Sequence, residues 1–294
     1  MIRVAIVGYG GIGRFAVDAV LAAGDMELAG IVRRKAHKIE NLDVPIVENV
    51  DDLGKIDLVL LCVPTRSVEE IAPVYLSKGI STVDCFGMSS KILSLREKLD
   101  ALAKNNNCTA LIAAGIDPGG NSIIRTFMQA SAPRGITYSD YGPGMSIGHN
   151  IAVKSKKGVV DALCMTIPQG AGVHRRMVYV QLEPSAKLEQ VTKDIKADSY
   201  FINDDTKVIA VDNVYDLTDL GHSIRTERRG ASGKTDNQFF KFKMEINNPA
   251  LTAQLMVCCA RASRKQKPGA YTIIELPIVD LLPGLREDWI GKLM

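Results

Sequence analysis

Residues Ile2 to Gly24 read IRVAIVGYGGIGRFAVDAVLAAG, and the order of the parts in this stretch decides the fold. The run Ile2 to Val7 is apolar and β-branched, as a buried parallel strand is. Glycines at positions 8, 10 and 13 follow in a G-x-G-x-x-G spacing. Beyond them Ile12, Phe15, Ala16, Ala19, Val20 and Ala23 recur at helical intervals, with Gly24 as the expected stop. The glycine spacing alone is a weak signal. Set between a strand and a helix, and followed by a second strand in MELAGIV (Met26 to Val32), it has the context of a dinucleotide site. Gly8 allows the tight turn, Gly10 lets the backbone approach a pyrophosphate, and Gly13 lets the helix pack on the strand. The helix N-terminus then turns its first N–H groups toward the phosphates.

The second strand ends in Arg33, Arg34 and Lys35. A site for NAD places an acidic residue there to bond the ribose 2′-hydroxyl, whereas a 2′-phosphate is repelled by an acid and held by arginine forks. Arg33 and Arg34 therefore predict NADP. LVLLCVP (Leu58 to Pro64) predicts a buried parallel strand, with Thr65, Arg66 and Ser67 as a loop at its ligand-binding end. Ser67 and Glu70 fit an S-x-x-E capping box for the helix that follows. STVDC and ALIAAG supply two more strands of a Rossmann-type, doubly wound α/β sheet.

After AAGIDPGGNS the pattern changes. VYVQLEP, TKVIAVD and FFKFKMEI alternate as half-buried strands do, which predicts a mostly antiparallel sheet in a second, α+β domain. NNPALTAQLMVCCARASRKQ predicts an apolar helix with Asn248 as N-cap and Pro249 at its first position, returning to the first domain. The expected division is a dinucleotide-binding domain over 1–120, a substrate and dimerisation domain over 121–247, and a returning helix and tail over 248–294.

The 294 residues suffice for two modest domains. A net charge of +3 with scattered cations argues against nucleic acid, and no apolar run is long enough for a membrane span. The N-terminus lacks the layout of a secretory signal, and the six cysteines show no CxxC pair. Together these predict a cytoplasmic protein with reduced thiols and no metal site.

VGYGGIGR, VRRK, CVPTRS, GIDPGGNSIIR, YGPGMSIGH, MTIP, GVHRR, INNPALTAQ and QKPGAYTIIELP, in this order along nearly the whole chain, resemble the meso-diaminopimelate dehydrogenase family. The short loop before GVHRR resembles its compact, broader-specificity branch. The resemblance implies reversible, NADP-dependent oxidative deamination of a D-configured amino-acid centre by a homodimer paired through the second domain. It implies cofactor contacts from Gly8, Tyr9, Gly10, Gly11, Ile12, Gly13, Arg33, Arg34 and the segment Pro64, Thr65, Arg66 and Ser67. Asp117 matches the family's carboxylate at the reacting amine; bottom-up, it also fits as the Asp of a turn before Pro-Gly-Gly. Arg176 matches its distal-carboxylate arginine, with Thr166 and His222 as hydrogen-bonding partners and Arg175 pointing elsewhere. Tyr141, Gly148 and Asn248 match further substrate contacts, Gly148 through backbone amides. His149 and His174 have no such support from the residues themselves.

Two departures lie near the reacting centre. Gly87 stands where the family has an aspartate, and Ile116 where it has a tryptophan; Ile147 is a milder change. They leave open the dehydrogenation of another D-amino or diamino acid, and a non-catalytic NADP-binding sensor. The Glu-Lys-Pro motif of sugar dehydrogenases and the paired-histidine motif of dihydrodipicolinate reductases are absent from the chain. Cys85 has no basic neighbour in sequence to favour a thiolate.

Overall fold

The computed structural model describes residues 1–40, 42–217 and 221–294. The chain divides into two compact units, Met1–Ile123 with Pro249–Met294, and Ile124–Asn248.

The first unit is built on β1 (Ile2–Val7), α1 (Gly11–Leu21), β2 (Met26–Val32), β3 (Ile46–Val47), β4 (Leu58–Leu61), α2 (Thr65–Leu76), β5 (Ser81–Asp84), α3 (Ile92–Asn105) and β6 (Thr109–Ile112). The helix α4 (Gly120–Ser131) leads out of it. Its strands and β14 (Gly269–Thr272), which follows α7 (Asn248–Ser263) and precedes α8 (Arg286–Leu293), pair in the order β14-β6-β5-β4-β1-β2-β3, all parallel. Side chains alternate across the sheet. Val4 and Ile6 pack with Ala16, Val17 and Val20 of α1 and with Ala253, Met256 and Val257 of α7. Ala5 and Val7 face the other layer, with Val68, Ala72 and Leu76 of α2 and Leu95 and Leu99 of α3. Helices on both faces cover a sheet whose strands are buried on both sides, which is why β4 reads as an unbroken apolar run. The strand order reverses between β1 and β4, so the carboxyl ends of these two strands flank the crevice where doubly wound sheets bind ligands.

Four local expectations need correction. Thr65, Arg66 and Ser67 are not a loop but the first turn of α2. Pro64, with φ −54° and ψ 138°, is the N-cap, so the chain enters the helix directly from the strand end. The Ser67–Glu70 capping box is accordingly not formed, because Ser67 already lies inside the helix. The helix α1 ends at Leu21 with Ala22 as C-cap, before Gly24, since the chain must turn back within a few residues to start β2 at Met26. Asn248 is the first residue of α7 rather than its N-cap.

The second unit comprises β7 (Arg134–Tyr141), β8 (Gly144–Met145), α5 (Ile147–Lys154), β9 (Val159–Gly170), β10 (Val173–Leu182), α6 (Leu188–Lys196), β11 (Asp205–Ala210), β12 (Gly221–Ser232) and β13 (Thr235–Asn247). These form a four-stranded sheet, β11-β10-β9-β8, and a three-stranded sheet, β13-β12-β7. Pairing is antiparallel except between β10 and β11. Ala152 and Val153 of α5 and Val191 and Ile195 of α6 pack on Cys164, Val178 and Val180 of the larger sheet. Among the described residues no helix is long and apolar enough to cross a membrane.

Candidate functional site

In the first unit, the glycine turn between β1 and α1 has the geometry that a dinucleotide requires. Gly8 has φ +94°, and a Cβ there would stand 2.5 Å from the Cys62 carbonyl oxygen. A Cβ on Gly13 would stand 2.3 Å from the Gly8 carbonyl, so the helix can approach the turn only without one. At Gly10 and Gly11 the situation is reversed: a Cβ would meet no protein atom within 4 Å. These two glycines are exposed, at the N-terminus of α1, and protein packing does not explain them. They form a cradle that side chains would fill and that suits a phosphate. Tyr9 lies under the Arg14 guanidinium, 5.6 Å from the ring centroid. Ile12 is part-buried against the α1 layer. Arg33 and Arg34 follow β2, the neighbour of β1; Arg34 is exposed, and Arg33 is tied by its backbone N–H to Val47. Pro64 to Ser67 stand at the carboxyl end of β4, on the other side of the crevice.

Asp117 lies in a turn closed by a bridge between Gly115 and Gly119. Asn121, fully buried, donates from Nδ2 to Asp117 Oδ2 at 2.9 Å and is itself held by its N–H to the Ile116 carbonyl. A Cβ on Gly119, at φ +141°, would stand 1.9 Å from the Gly115 oxygen, so the turn requires a glycine at position 119. Gly87 follows β5, and a Cβ there would make an ordinary 3.5 Å contact with Thr65 Oγ1. Ile116 is buried. Cys85 is no thiolate: burial, and the neighbouring Asp84, push it up to about 12.

Asp84 is a residue that sequence reasoning passed over. It is wholly buried at the end of β5, and its Oδ1 accepts from the N–H groups of Phe86 (2.8 Å) and Ala113 (3.1 Å). It thereby ties together the segments that carry Gly87 and Asp117. Oδ2 has no hydrogen-bond partner among the described residues. Burial raises its carboxyl to about 6, against the pull of the two backbone hydrogen bonds. A folded-state pKa above the unfolded one gives stability that is complete below the unfolded value, 3.8, and is lost as pH rises through about 6. The gap corresponds to about 3 kcal/mol. Urea unfolding of the wild type and Asp84→Asn across about pH 4 to 7 should show the difference moving in favour of the Asn variant by an amount of this order, then levelling off. A difference independent of pH would contradict the raised pKa.

In the second unit, the register of β9 against β10 sets Thr166 directly opposite Arg176, and Gly144 of β8 opposite Thr166. Arg176 Nη1 donates to the hydroxyl of the fully buried Thr166, and Nε donates to Asp204 Oδ2 at 2.6 Å. Arg175, one residue earlier and so on the opposite face of the strand, pairs with Asp205 in solvent. Asp204 stands 3.8 Å from His149 Nε2, an electrostatic approach rather than a hydrogen bond. Burial alone would raise the Asp204 carboxyl; His149 and the Arg176 hydrogen bond together outweigh it and bring it down to about 2. His149 packs between the rings of Tyr200 and Phe201 and shares a 2.8 Å hydrogen bond with Ser146 through Nδ1. Gly148 sits in the first turn of α5, where a Cβ would press on the Tyr200 ring at 3.2 Å.

His222, 7 % exposed, hydrogen-bonds the backbone of Gly144, while its Nδ1 is buried without a partner among the described residues. Burial is the main cause of its lowered pKa, with Arg176 and His174 acting in the same direction. His174 Nε2 accepts from the Tyr141 N–H at 2.8 Å, and the two rings lie 5.2 Å apart. Burial and Arg176 lower the pKa of His174 as well. Of the substrate residues implied by the resemblance, the fold thus gathers Thr166, Arg176 and His222, with Tyr141 joined through His174. Asn248 stands apart from this cluster in the chain, at the head of α7. His149, His174 and Asp204 belong to the cluster although nothing in the sequence pointed to them. Only the HRR–INDD correspondence of two adjacent parallel strands, β10 and β11, could have suggested Asp204.

A family model described as an oxidoreductase family with an NAD-binding Rossmann fold matches residues 2–85. The chain is 52% identical to the meso-diaminopimelate D-dehydrogenase of Bacteroides fragilis, over 100% of this chain and 99% of that protein. It is 33% identical to the protein of the same name from Acetivibrio thermocellus, over 98% and 96% of the two. Among solved structures, the C. glutamicum DAP dehydrogenase in complex with DAP superposes with a TM-score of 0.90 at 27% identity, covering 100% of this chain and 99% of that one. An engineered D-amino acid dehydrogenase bound to NADP+ superposes with a TM-score of 0.90 at 26% identity, with the same coverage.

Proposed function

The chain belongs to the meso-diaminopimelate D-dehydrogenase family, and from that premise we propose that it is an NADP-dependent enzyme that reversibly deaminates the D-configured centre of meso-2,6-diaminopimelate. The observation that supports the substrate most is the pairing of Thr166 with Arg176 across β9 and β10, beside His222: a part-buried arginine with further N–H donors to offer a carboxylate. Hydride acceptance is the chemistry that the bound dinucleotide supplies. Asp117, oriented by Asn121, holds the reacting amine and takes up its proton as the Cα–N bond becomes an imine. Water then adds to the imine, releasing ammonia and the 2-oxo acid. Gly148 and its neighbours in α5 offer backbone N–H groups to the carboxylate next to that centre, and Tyr141 and Asn248 complete the substrate contacts. The second unit is the substrate and dimerisation unit. Ile136, Arg229 and Phe239 are cross-strand neighbours on the smaller sheet, with Ile136 and Phe239 exposed, and this row supports pairing with a second copy. The protein works in the cytoplasm.

Gly10 and Gly11 supply the phosphate cradle, and Arg33 and Arg34 hold the 2′-phosphate of NADP. Each hydrogen bond to that charged group contributes about 1.5–3 kcal/mol, so NADPH should bind roughly 10²- to 10³-fold more tightly than NADH. Arg33→Ser with Arg34→Asp should remove most of this preference. Equal affinities in the unmutated protein, by calorimetry, would exclude an NADP-specific site.

Gly87 and Ile116 favour a second reading, in which the preferred substrate is another D-amino acid. Reduction of NADP+ and of NAD+, measured over meso-diaminopimelate and a panel of D-amino acids, separates the two. Fastest turnover of meso-diaminopimelate supports the first reading, and fastest turnover of another D-amino acid the second. No turnover of any would leave a binding protein.

A further inference from the structure

The Arg176 cluster is built for a carboxylate, yet its charge is already balanced. Arg176 is 12 % exposed and Asp204 24 %, and they form a 2.6 Å ion pair. The three histidines around them are His149, His174 and His222, each with its pKa lowered chiefly by burial, so none adds a positive charge near neutral pH. On the His174 side a further ionisable group is Asp140, a buried carboxylate that accepts the Gly172 N–H at 2.8 Å. Arg175 is spent on Asp205 at the surface. A bare carboxylate entering this cluster would therefore form a group with more negative than positive charge in a half-buried setting, which is unfavourable unless a cation comes with it.

The hydrogen-bonding capacity left in the cluster has the same asymmetry. Donors remain at Arg176 Nη2, which bonds no described residue, and these suit a carboxylate. At His222 the open atom is Nδ1. The bond to Gly144 acts to raise the pKa of the ring, which identifies it as a ring N–H donating to the backbone carbonyl. In the neutral ring Nδ1 is then an acceptor, buried and without a donor among the described residues. An acceptor is the wrong partner for a carboxylate and the right one for an ammonium group.

We infer that Asp204 is a specificity-determining residue: paired with Arg176 beside the open acceptor of His222, it makes this cluster select a zwitterionic α-amino-acid end over a bare carboxylate. The inference rests on the substrate proposed above, of which the far end carries both an ammonium and a carboxylate group. It adds that the amine at that end, which takes no part in the reaction, is needed for binding.

The test compares meso-diaminopimelate with D-2-aminopimelate, which has the same chain length and both carboxylates but lacks the far amine. Binding is measured by calorimetry in the presence of NADPH, a combination that cannot turn over, and kcat/KM is measured separately with NADP+. The wild type should prefer diaminopimelate by roughly 10- to 100-fold in Kd, the range of one charge-assisted contact. Asp204→Asn retains an acceptor for Arg176 Nε but loses the charge. It should cut that preference about tenfold or more, weakening diaminopimelate and strengthening aminopimelate. Asp204→Glu should retain it, and it supplies the readout should the Asn variant fail to fold. An Asn variant that weakens both ligands equally, or leaves the ratio unchanged, would overturn the inference, as would a Glu variant that loses the preference. Turnover and binding keep the two readings apart. A wild type that binds with the expected preference but never reduces NADP+ contradicts the proposed reaction alone; one that turns over without the preference contradicts the role of Asp204 alone.

Discussion

Asp117→Ala should lower kcat on meso-diaminopimelate by roughly 10²- to 10⁴-fold, the range that a positioned acid–base group contributes, while NADPH affinity stays unchanged. The side chain is half-buried in a turn that the Gly115–Gly119 bridge and the Asn121 N–H on the Ile116 carbonyl hold without it, so the fold should survive its removal. Asp117→Asn provides the sharper comparison. It preserves the shape and a hydrogen bond with Asn121 but cannot take a proton, and it should be nearly as slow as the alanine variant. Steady-state rates with calorimetry of NADPH decide the matter. Should the Asn variant retain turnover within a small factor of the wild type, Asp117 serves the turn before Pro-Gly-Gly and nothing more.

Arg176→Ala should have the largest effect on binding. It removes the fork that meets the far carboxylate, and it leaves Asp204 and Thr166 without their partner. The kcat/KM on meso-diaminopimelate should fall by roughly 10²- to 10³-fold, with the rate on a monocarboxylic D-amino acid changed far less. Equal damage to both substrates would make Arg176 a structural residue. The orphaned carboxylate has a separate signature. A partner held down at about pKa 2 contributes stability above its unfolded value, 3.8, and loses it as pH falls toward 2. Removing Arg176 should cost stability at neutral pH, of order 2 kcal/mol for a pair that retains some solvent contact, and flatten the acid limb of the stability profile. Adding Asp204→Asn to Arg176→Ala should recover that stability without recovering diaminopimelate binding. Chemical denaturation and kinetics on the same three proteins therefore separate the anchor from the ion pair.

What the sequence determined by itself was the content that local chemistry and short spacings carry. The glycines at 8, 10 and 13 stand between a strand and a helix, and the consequences at Gly8 and Gly13 are steric contacts of 2.5 and 2.3 Å that any side chain would violate. The unbroken apolar run of β4 and the alternating run of β13 follow from burial on two faces and on one, so the change from parallel to mostly antiparallel sheet was legible. The start of α2 was not. Ser67 and Glu70 satisfy a capping pattern, but a pattern four residues long cannot register that Pro64 has already turned the chain into the helix. The Arg176 cluster was legible only in part, and the reason is the same. His149, Thr166, Arg176, Asp204 and His222 come from four strands or their approaches and one helix, and what brings them together is register. Strand pairing puts Thr166 opposite Arg176, strand alternation sends Arg175 out to Asp205, and burial lowers the pKa of the histidines. The ion pair that balances Arg176 is therefore a property of the tertiary structure, since two charges 28 positions apart in the chain meet only when β10 and β11 lie side by side.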